Sequence, residues 1–257
     1  SPFPIFRAGY DVDVDQYSQE FRVASPAGGT LEYQVGLFLL RQDVTSRFRT
    51  PFFERATAFF LSPTLPSVVL AGVEASQLGE ARTDSGAVFG QATWRPTDRA
   101  ALTIGARYSH EQKRASNTAA STGGAPLTGA LASFQSLRDA VTGPSFRVAG
   151  ESEGGSVSWL INPSYRISQD VLAYASVAYG EKSGAANLGA RPGDRVIIDP
   201  EKSTDYELGL KSAWLGGRAV LNGNLYWNDI EDYQATLVDT RGATSRSFLS
   251  NVGKVRM

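Results

Sequence analysis

The stretch "STDYELGLKSAW", residues 203–214, carries one apolar face and one polar face when it is extended. Side chains alternate across a strand, so Tyr206 and Leu208 share the apolar face while Glu207 and Lys211 share the polar one. Such a strand can cover the core of a soluble sheet, or it can stand in a membrane with lipid on one side and water on the other. The rest of the sequence decides between these two environments.

The composition excludes several classes of protein and site. The chain has 257 residues, which is enough for one large β-domain or for one to two ordinary domains. Its 25 basic and 26 acidic residues nearly balance, so the charge gives no reason to expect nucleic acid as a partner. The absence of cysteine excludes disulfides, thiolate zinc sites and cysteine nucleophiles. There is no run of about 18 apolar residues, so we predict no membrane-spanning helix.

The same alternation recurs along the chain and predicts nine strands. The predicted strands are 15–24, 30–43, 87–95, 100–113, 155–167, 170–181, 203–214, 218–231 and 246–256. Pro163 lies inside the fifth of them and is a defect there, because proline has no N–H to donate to a ladder.

The connections between these strands alternate strictly between short and long. "SPAGG", "PTDR", "SQD" and "LGG" are tight links rich in turn residues, whereas the links at about 45–86, 114–154 and 182–202 are long. A soluble sandwich has short connections at both ends. An outer-membrane barrel has short periplasmic turns and long extracellular loops. We therefore predict an all-β fold, an antiparallel transmembrane β-barrel segment of about nine strands.

Strand length and aromatic residues favour the same fold. Several predicted strands reach the roughly 9 to 11 residues that a tilted strand needs to cross the hydrocarbon layer. Trp94, Tyr165 and Trp214 all lie next to short connections, where a barrel carries an interfacial girdle of aromatic rings. The alternative is that aromatic residues simply favour strands. In a barrel the face with Leu208 would contact lipid, and the face with Glu207 would contact a watery or plugged lumen.

Two of the long links have a distinctive composition. "ASNTAASTGGAPLTGALASF", residues 115–134, is rich in alanine, serine, threonine and glycine and predicts a flexible surface segment. "FFLSPTLPSVVLAGV", residues 59–73, is apolar. It can form a short helix or pack down into the mouth of the barrel, and the sequence leaves both alternatives open.

Two motifs suggest enzymatic chemistry, but neither has the context that this chemistry needs. "GESEG", residues 150–154, matches a nucleophile elbow, which lies between a strand and a helix and needs a histidine later in the chain. The only histidine, His110, comes earlier and is expected at the surface. "GEKSG", residues 180–184, lacks the preceding glycine and the spacing of a phosphate loop. We predict that the chain is not an enzyme and that it has no catalytic residue and no cofactor.

An acidic run before the first predicted strand resembles the start of a calcium loop. "DVDVD", residues 11–15, is followed by Gln16 and Arg22 where an EF-hand requires glycine and a bidentate glutamate. The EF-hand is therefore excluded, and the alternatives are calcium held by a surface loop or a solvated acidic approach to a strand. No other cluster suggests a metal cage, so we predict no metal site.

Several stretches together resemble the barrel of TonB-dependent receptors, the plugged outer-membrane transporters of Gram-negative bacteria. They are "SQEFRVASP" with "LEYQVGLFLLRQD", "FGQATWRPTDRAALTIGARYSHEQK", "DVLAYASVAYGEKSGAANLG", "DPEKSTDYELGLKSAWLGGRAVLNGNLYWNDIEDYQ" and "SNVGKVRM". They occur in the order of the family and cover most of the chain outside its loops. The chain departs from the family pattern at Ala185 and Ala186, where family members more often have glycine and an aromatic residue.

The resemblance implies a fold, a location and a function. The fold is a barrel of about 22 strands with an obstructed lumen, and residues 1–257 would be an internal segment that lacks the plug domain and the C-terminal strands. Nine strands alone would leave unpaired edges in hydrocarbon, so this segment should not span a membrane by itself. The function is active uptake across the bacterial outer membrane of a scarce, bulky nutrient such as siderophore-iron, cobalamin or an oligosaccharide. The implied partners are the TonB energy-coupling complex, reached through the plug, a small-molecule nutrient ligand and outer-membrane lipid, with no nucleic acid.

The polar faces of three predicted strands supply candidate ligand-binding residues that face the lumen near the long loops. They are Arg107, Glu111, Lys113, Asp205, Glu207, Asn224 and Asn228. The alternative is that these side chains only solvate the lumen or touch the plug. Two alternative functions also stay open at this point, a passive porin-like channel and a non-transport surface adhesin or structural subunit.

Overall fold

The computed structural model describes residues 4–240 and 246–257 as an antiparallel β-structure. The strands are β1 Gly9–Ala24, β2 Leu31–Pro51, β3 Val73–Trp94, β4 Ala100–Gly123, β5 Phe146–Ser168, β6 Val171–Lys182, β7 Glu201–Trp214, β8 Ala219–Glu231, β9 Gln234–Asp239, β10 Arg246–Asn251 and β11 Val255–Arg256. Nine of them form one sheet in the order β1-β2-β3-β4-β5-β6-β7-β8-β11, with β1 and β11 at its open edges. The predicted antiparallel barrel segment is confirmed.

The helices are short and lie in the long connections. α1 is Ala56–Phe60 and α2 is Gln135–Thr142, and 3-10 turns cover Ser67–Val69 and Gly129–Phe134. In the described parts of the chain, no helix combines the length and the apolar character needed to cross a bilayer.

Short and long connections lie at opposite rims of the sheet, as predicted. The short turns are 25–30, 95–99, 169–170 and 215–218, and the long connections are 52–72, 124–145, 183–200 and 232–254. Trp94, Tyr165 and Trp214 are exposed, and strand alternation puts all three on the outward face at the short-turn rim. This position agrees with an interfacial girdle.

The outward face of the sheet is apolar and open. On β7 and β8 the register aligns Leu208 with Leu225, and Leu225 is 77% exposed. On β2 the outward residues Leu37 and Leu39 are also exposed. A soluble sheet would bury such a face under a second layer. Here the outward face forms a band that suits contact with lipid.

The predicted loop bounds 45–86 and 114–154 are wrong, because β2 to β5 continue well past them. We define the extension as the outer parts of five strands, residues 9–17, 41–51, 73–84, 112–123 and 146–153, which lie beyond the apolar band. Its sequences are rich in Ser, Ala, Gly and charged residues, which have little strand signal of their own. Pairing with neighbouring strands keeps them extended. Residues 115–123 of the segment predicted to be flexible therefore belong to β4.

The ninth predicted strand, 246–256, is divided in the structure. Its first part is β10, which pairs with β9 in a separate hairpin, and only β11 joins β8. Gly253 lies between them with a φ of 88°, a left-handed conformation that ends a strand. Tyr233 donates its N–H to the Gly253 carbonyl at 3.0 Å, which closes the base of the hairpin.

The predicted defect at Pro163 lies within β5 and is repaired by its neighbour. The pairing of β5 with β6 has a gap between Ile161 and Ser164. Asn162 donates its side-chain amide to the Ala175 carbonyl at 3.0 Å inside this gap. A side-chain hydrogen bond thus takes the place of a ladder bond, and the strand continues in the same register.

Candidate lumen wall and outer mouth

Four of the predicted site residues lie together on the inward face of β7 and β8. The register aligns Asp205 with Asn228 and Gly209 with Asn224, so these side chains share the face opposite to Leu208. Asn224 donates to the Glu207 carboxylate at 2.8 Å, and Asn228 donates to Asp205. The group is a pre-arranged polar surface rather than a set of free charges.

Tyr174 on β6 extends this polar group toward the neighbouring strand. Its hydroxyl donates to Glu207 at 2.6 Å, and the Lys211 ammonium lies 5.4 Å from the centre of its ring. The ring covers Gly209, where any Cβ would collide with it. Glycine at this position therefore lets an aromatic ring lie flat on the wall and aim its hydroxyl at the carboxylate.

Arg107 on β4 lies apart from the β7 and β8 group, because β5 and β6 separate them in the sheet. Its guanidinium lies 5.3 Å from the ring centre of Phe38 and 5.8 Å from that of Phe89. It also donates to the Ser109 hydroxyl at 2.9 Å. Stacking on the rings holds the cation against the wall while its charge stays available to the lumen.

Glu111 and Lys113 contact the connection 183–200, which we call the inner loop. Lys113 donates to the Ser183 hydroxyl at 3.0 Å and to the Gly184 carbonyl, and its ammonium lies 3.1 Å from Glu111. Ser183 in turn donates to Glu111. These two predicted site residues therefore anchor one end of the inner loop. In the "GEKSG" motif, Lys182 is the last residue of β6 and Ser183 is the first residue of the inner loop.

The inner loop folds onto the inward face of the extension. Asn117 is fully buried and donates to the Ala190 carbonyl at 2.9 Å. A Cβ on Gly79 would lie 2.7 Å from the Leu188 carbonyl oxygen, and a Cβ on Gly150 would lie 3.0 Å from Val196. Small residues on β3, β4 and β5 thus let the loop backbone approach the sheet. The sequence signal for this contact is the glycine and alanine content of these strands, which lie within the predicted loops 45–86 and 114–154.

Gln234 fastens both ends of the inner loop to the start of β9. Its side-chain amide donates to the Ser183 carbonyl at 2.9 Å and to the Asp199 carbonyl at 3.1 Å. Asn251 adds a bond from its side chain to the same Asp199 carbonyl at 3.0 Å. The inner loop is therefore held at its stems by the hairpin and along its length by the extension.

The two outermost connections form a small core of their own. Phe52, Val69, Leu70 and Val73 are buried together with Ala56. The apolar stretch 59–73 thus contributes the end of the short helix α1 and a 3-10 turn. Of the two alternatives that the sequence left open, short helical structure is the one that is observed.

Arg138 on α2 joins the connection 124–145 to this core. The side chain is buried, and its guanidinium donates to the carbonyl oxygens of Val69 at 2.7 Å, Val68 at 3.0 Å and Ala125 at 2.9 Å. A single buried cation therefore ties two long connections into one unit above the sheet.

The remaining motifs lie on strands. Ser152 is inside β5, directly opposite Lys113, so it has no turn-to-helix context. His110 is exposed and lies 3.3 Å from Glu153. Asp11 to Asp15 belong to β1. Among the residues that the structure describes, no group of three or more His, Cys, Asp or Glu is arranged to hold a metal ion.

A family model described as "TonB dependent receptor-like, beta-barrel" matches residues 3–257. The chain belongs to this family. Membership places this TonB-dependent receptor segment in the bacterial outer membrane, and the family is one of transport receptors rather than enzymes.

Relatives of this TonB-dependent receptor segment agree in fold and are much longer. The pesticin receptor of Yersinia enterocolitica is 24% identical over 242 residues, which is 93% of this chain and 30% of the relative. The ferric yersiniabactin uptake receptor FyuA from Yersinia pestis has a TM-score of 0.70 at 21% identity, over 99% of this chain and 33% of the other. The siderophore receptor PiuA from Acinetobacter baumannii has a TM-score of 0.57 at 15% identity, over 96% and 35%. The chain therefore spans about a third of the length of these proteins.

Proposed function

We propose that this chain forms part of the wall and outer mouth of a receptor that takes up a scarce, bulky nutrient with energy supplied through TonB. The observation that carries the proposal is the combination of an apolar outward band, a hydrogen-bonded polar inward face and long connections folded over one rim. The apolar band suits contact with lipid, the polar inward face suits a lumen, and the long connections offer a surface for a ligand.

Siderophore-iron is the nutrient class that we favour over cobalamin and an oligosaccharide. One similar structure is named as a siderophore receptor, and another is named as an uptake receptor for ferric yersiniabactin. The whole receptor would bind its small-molecule ligand at the outer mouth, contact outer-membrane lipid through the apolar band and reach the TonB complex through a plug.

The arrangement of the mouth supports gated uptake over a passive porin-like channel. The inner loop occupies the inward side of the extension, and Asn117, Lys113 and Gln234 hold it there. A general diffusion pore needs an open aqueous path, whereas a receptor needs a shaped outer surface. A non-transport surface protein has no need for a hydrogen-bonded inward face such as that around Glu207.

The seven predicted residues fall into three groups by location, and we propose a different role for each group. Asp205, Glu207, Asn224 and Asn228 form one polar surface, which we propose lies along the ligand path or against the plug. Arg107 offers a separate cation held by aromatic rings. Glu111 and Lys113 position the inner loop.

Uptake of radiolabelled iron by cells that express the full-length receptor tests the proposal. We expect accumulation of a ferric siderophore complex that falls to background when the TonB system is deleted. The control is a small uncharged sugar, whose entry should not depend on this receptor. Energy-independent entry of both solutes would instead establish a passive channel and overturn the proposal.

A further inference from the structure

The outward face of the extension carries charged side chains directly beyond the apolar band. On β3 the outward residues change from Val88 and Gly86 to Asp84 and Arg82. The change lies in the middle of the sheet, where each strand pairs on both sides. On β2 to β5 this face of the extension has acidic residues and arginine but no lysine. Its arginines are Arg41, Arg47, Arg49, Arg82, Arg114 and Arg147, and its acidic residues are Asp43, Glu74, Glu80, Asp84, Glu151 and Glu153.

Two of these arginines lie side by side. The register aligns Arg82 on β3 with Arg114 on β4. The other direct neighbour of Arg82 is Asp43 on β2, and that of Arg114 is Glu151 on β5. The row across these four strands therefore reads Asp, Arg, Arg, Glu. Like charges directly opposite each other in a sheet are destabilising. An anion placed between the two guanidinium groups would remove this repulsion.

The flanking carboxylates orient the two guanidinium groups without occupying them fully. Arg82 donates from Nε to Asp43 at 2.6 Å, and Nε of Arg114 lies 3.7 Å from Glu151. A carboxylate bound at Nε can engage at most one of the two Nη groups, so the other stays available. The side chains of Arg82 and Arg114 are 54% and 60% exposed. Such a guanidinium edge matches the oxygens of a phosphate group.

A depression of about 870 Å³ on the outward face is centred on this pair of arginines. Between the strands its floor is made of small side chains, among them Ser116 and Ala149, so no bulky group fills it. Carboxylates at its sides can accept hydrogen bonds from the hydroxyl groups of a sugar. Its charged lining on β2 to β5 is Asp43, Glu80, Arg82, Arg114, Arg147 and Glu151, and Asp15 of β1 lies at its far side. The lining therefore suits a group that carries both phosphate and hydroxyls.

The height of the depression places it in the headgroup layer of the membrane. Arg82 lies 12 residues from Trp94, which marks the short-turn rim, within the unbroken strand β3. At about 3.3 Å per residue and a tilt of about 40°, this separation corresponds to about 30 Å along the membrane normal. The apolar band of such barrels is about 25 Å tall. Arg82 and Arg114 thus lie just beyond the hydrocarbon and face away from the lumen, toward the surrounding lipid.

We propose that this depression binds the phosphorylated sugar headgroup of an outer-leaflet glycolipid, with Arg82 and Arg114 holding the phosphate. The inference concerns the outer side of the wall and depends on the location in the outer membrane, not on the transported nutrient. A bound headgroup would place its phosphate between the two arginines and its acyl chains along the apolar band below. Lipid would then be a specific partner of the receptor as well as its solvent.

Binding of lipid A to the purified full-length receptor tests the proposal. Lipid A is a disaccharide with two phosphates and several acyl chains, and its retention on immobilised receptor in detergent gives the affinity. We expect the double variant R82Q/R114Q to weaken the binding about tenfold. R195Q is the matched control, because it removes an equally exposed arginine from the inner loop and should leave the affinity unchanged. Unchanged heat-modifiable mobility of both variants shows that the barrel is folded.

Three comparisons decide whether phosphate recognition by the arginines is correct. We expect wild-type receptor to prefer bisphosphorylated lipid A over its dephosphorylated form, and R82Q/R114Q to lose this preference. Equal binding of both forms to the wild type would show that only the acyl chains are recognised and would overturn the proposal. Full competition by inorganic phosphate at the concentration of the lipid would show a site for free phosphate and would also overturn it. Binding that persists in R82Q/R114Q and disappears with EDTA would assign the contact to the carboxylates through divalent cations instead of the arginines.

Discussion

The part of the sheet at the level of the membrane and the extension above it are built from the same strands with opposite polarity. At the level of the membrane, β7 turns Leu208 outward and Glu207 inward. In the extension, β1 turns Asp13 outward and Tyr10 inward. The backbone ladder is continuous in both, so the exchange reflects the surroundings of each face. At the level of the membrane, the outward face of the sheet contacts lipid instead of water. In the extension, the inward face contacts apolar groups instead of water.

The two regions are stabilised by different interactions. The wall depends on apolar residues meeting lipid, where a misplaced charge is costly. The extension depends on local contacts between connections and strands, such as those of Arg138 and Asn117. Each of the four tests below perturbs one side of the comparison and leaves the other intact.

The largest effect is expected from a charge on the lipid face. L225R places a cation where the side chain is 77% exposed toward lipid, and we expect it to destabilise the folded barrel by about 2–4 kcal/mol. N224R, on the adjacent residue that faces the lumen beside Glu207, should be tolerated. Abundance of heat-modifiable receptor in outer-membrane fractions measures both. Equal loss in the two variants would show that the two faces of β8 do not differ in environment.

The second-largest effect is expected where Arg138 joins the two outer connections. R138A removes the donor for three carbonyl oxygens, and we expect a cost of about 3 kcal/mol that is confined to 52–72 and 124–145. Limited proteolysis of intact cells should cut these connections while the barrel stays folded. R114A, an exposed arginine 3.7 Å from Glu151, is the matched control and should leave the cleavage pattern unchanged. Loss of the whole barrel in R138A would mean that the extension and the wall are not independent.

A smaller effect is expected where the inner loop meets the sheet. G79A adds a Cβ that would lie 2.7 Å from the Leu188 carbonyl oxygen, so the loop must shift, at a cost of about 2 kcal/mol. G154A is the control, because a Cβ on this inward glycine of β5 meets nothing within 4 Å. Hydrogen exchange of residues 183–200 should rise in G79A and stay constant in G154A. Equal exchange in the two variants would contradict close packing of the loop.

The smallest effect belongs to the charged outer side of the extension. A double-mutant cycle of R82A and D43A should give a coupling below about 1 kcal/mol, because both side chains are substantially exposed and water screens the pair. The coupling should shrink further as salt is raised. Thermal unfolding of the purified receptor at two salt concentrations measures it. A coupling of several kcal/mol, insensitive to salt, would show that this face is buried rather than solvated.

The features that could be predicted from sequence are those set by neighbouring residues. Alternation of Tyr206 and Leu208 with Glu207 identified the faces of β7, and turn residues identified the short connections at one rim. The aromatic residues next to those turns were also placed correctly. The extension escaped prediction because strands made of Ser, Ala and Gly have no local signal and are held by their partners. The sequence also predicts β10 and β11 as one strand, because local alternation does not specify the partner of a strand; β10 pairs with β9, and only β11 pairs with β8.

In the candidate site, too, some features could be predicted from neighbouring residues and others depend on distant parts of the chain. Asp205, Glu207, Asn224 and Asn228 were predicted to face inward, and their mutual hydrogen bonds follow from adjacent strands in register. Their contact with a ligand stays a prediction. The role of Lys113 in holding Ser183 could not be predicted, since 70 positions along the chain separate the two residues.

The amino-acid sequence by itself determined the strand alternation, the two unequal rims and hence a membrane barrel wall, because a period of two residues and turn chemistry act over a few neighbouring positions. Only the tertiary structure decided how far β2 to β5 rise above the membrane and where the inner loop lies. Those outcomes depend on contacts such as Asn117 with Ala190 and Arg138 with Val69, which form only when distant parts of the chain are brought together.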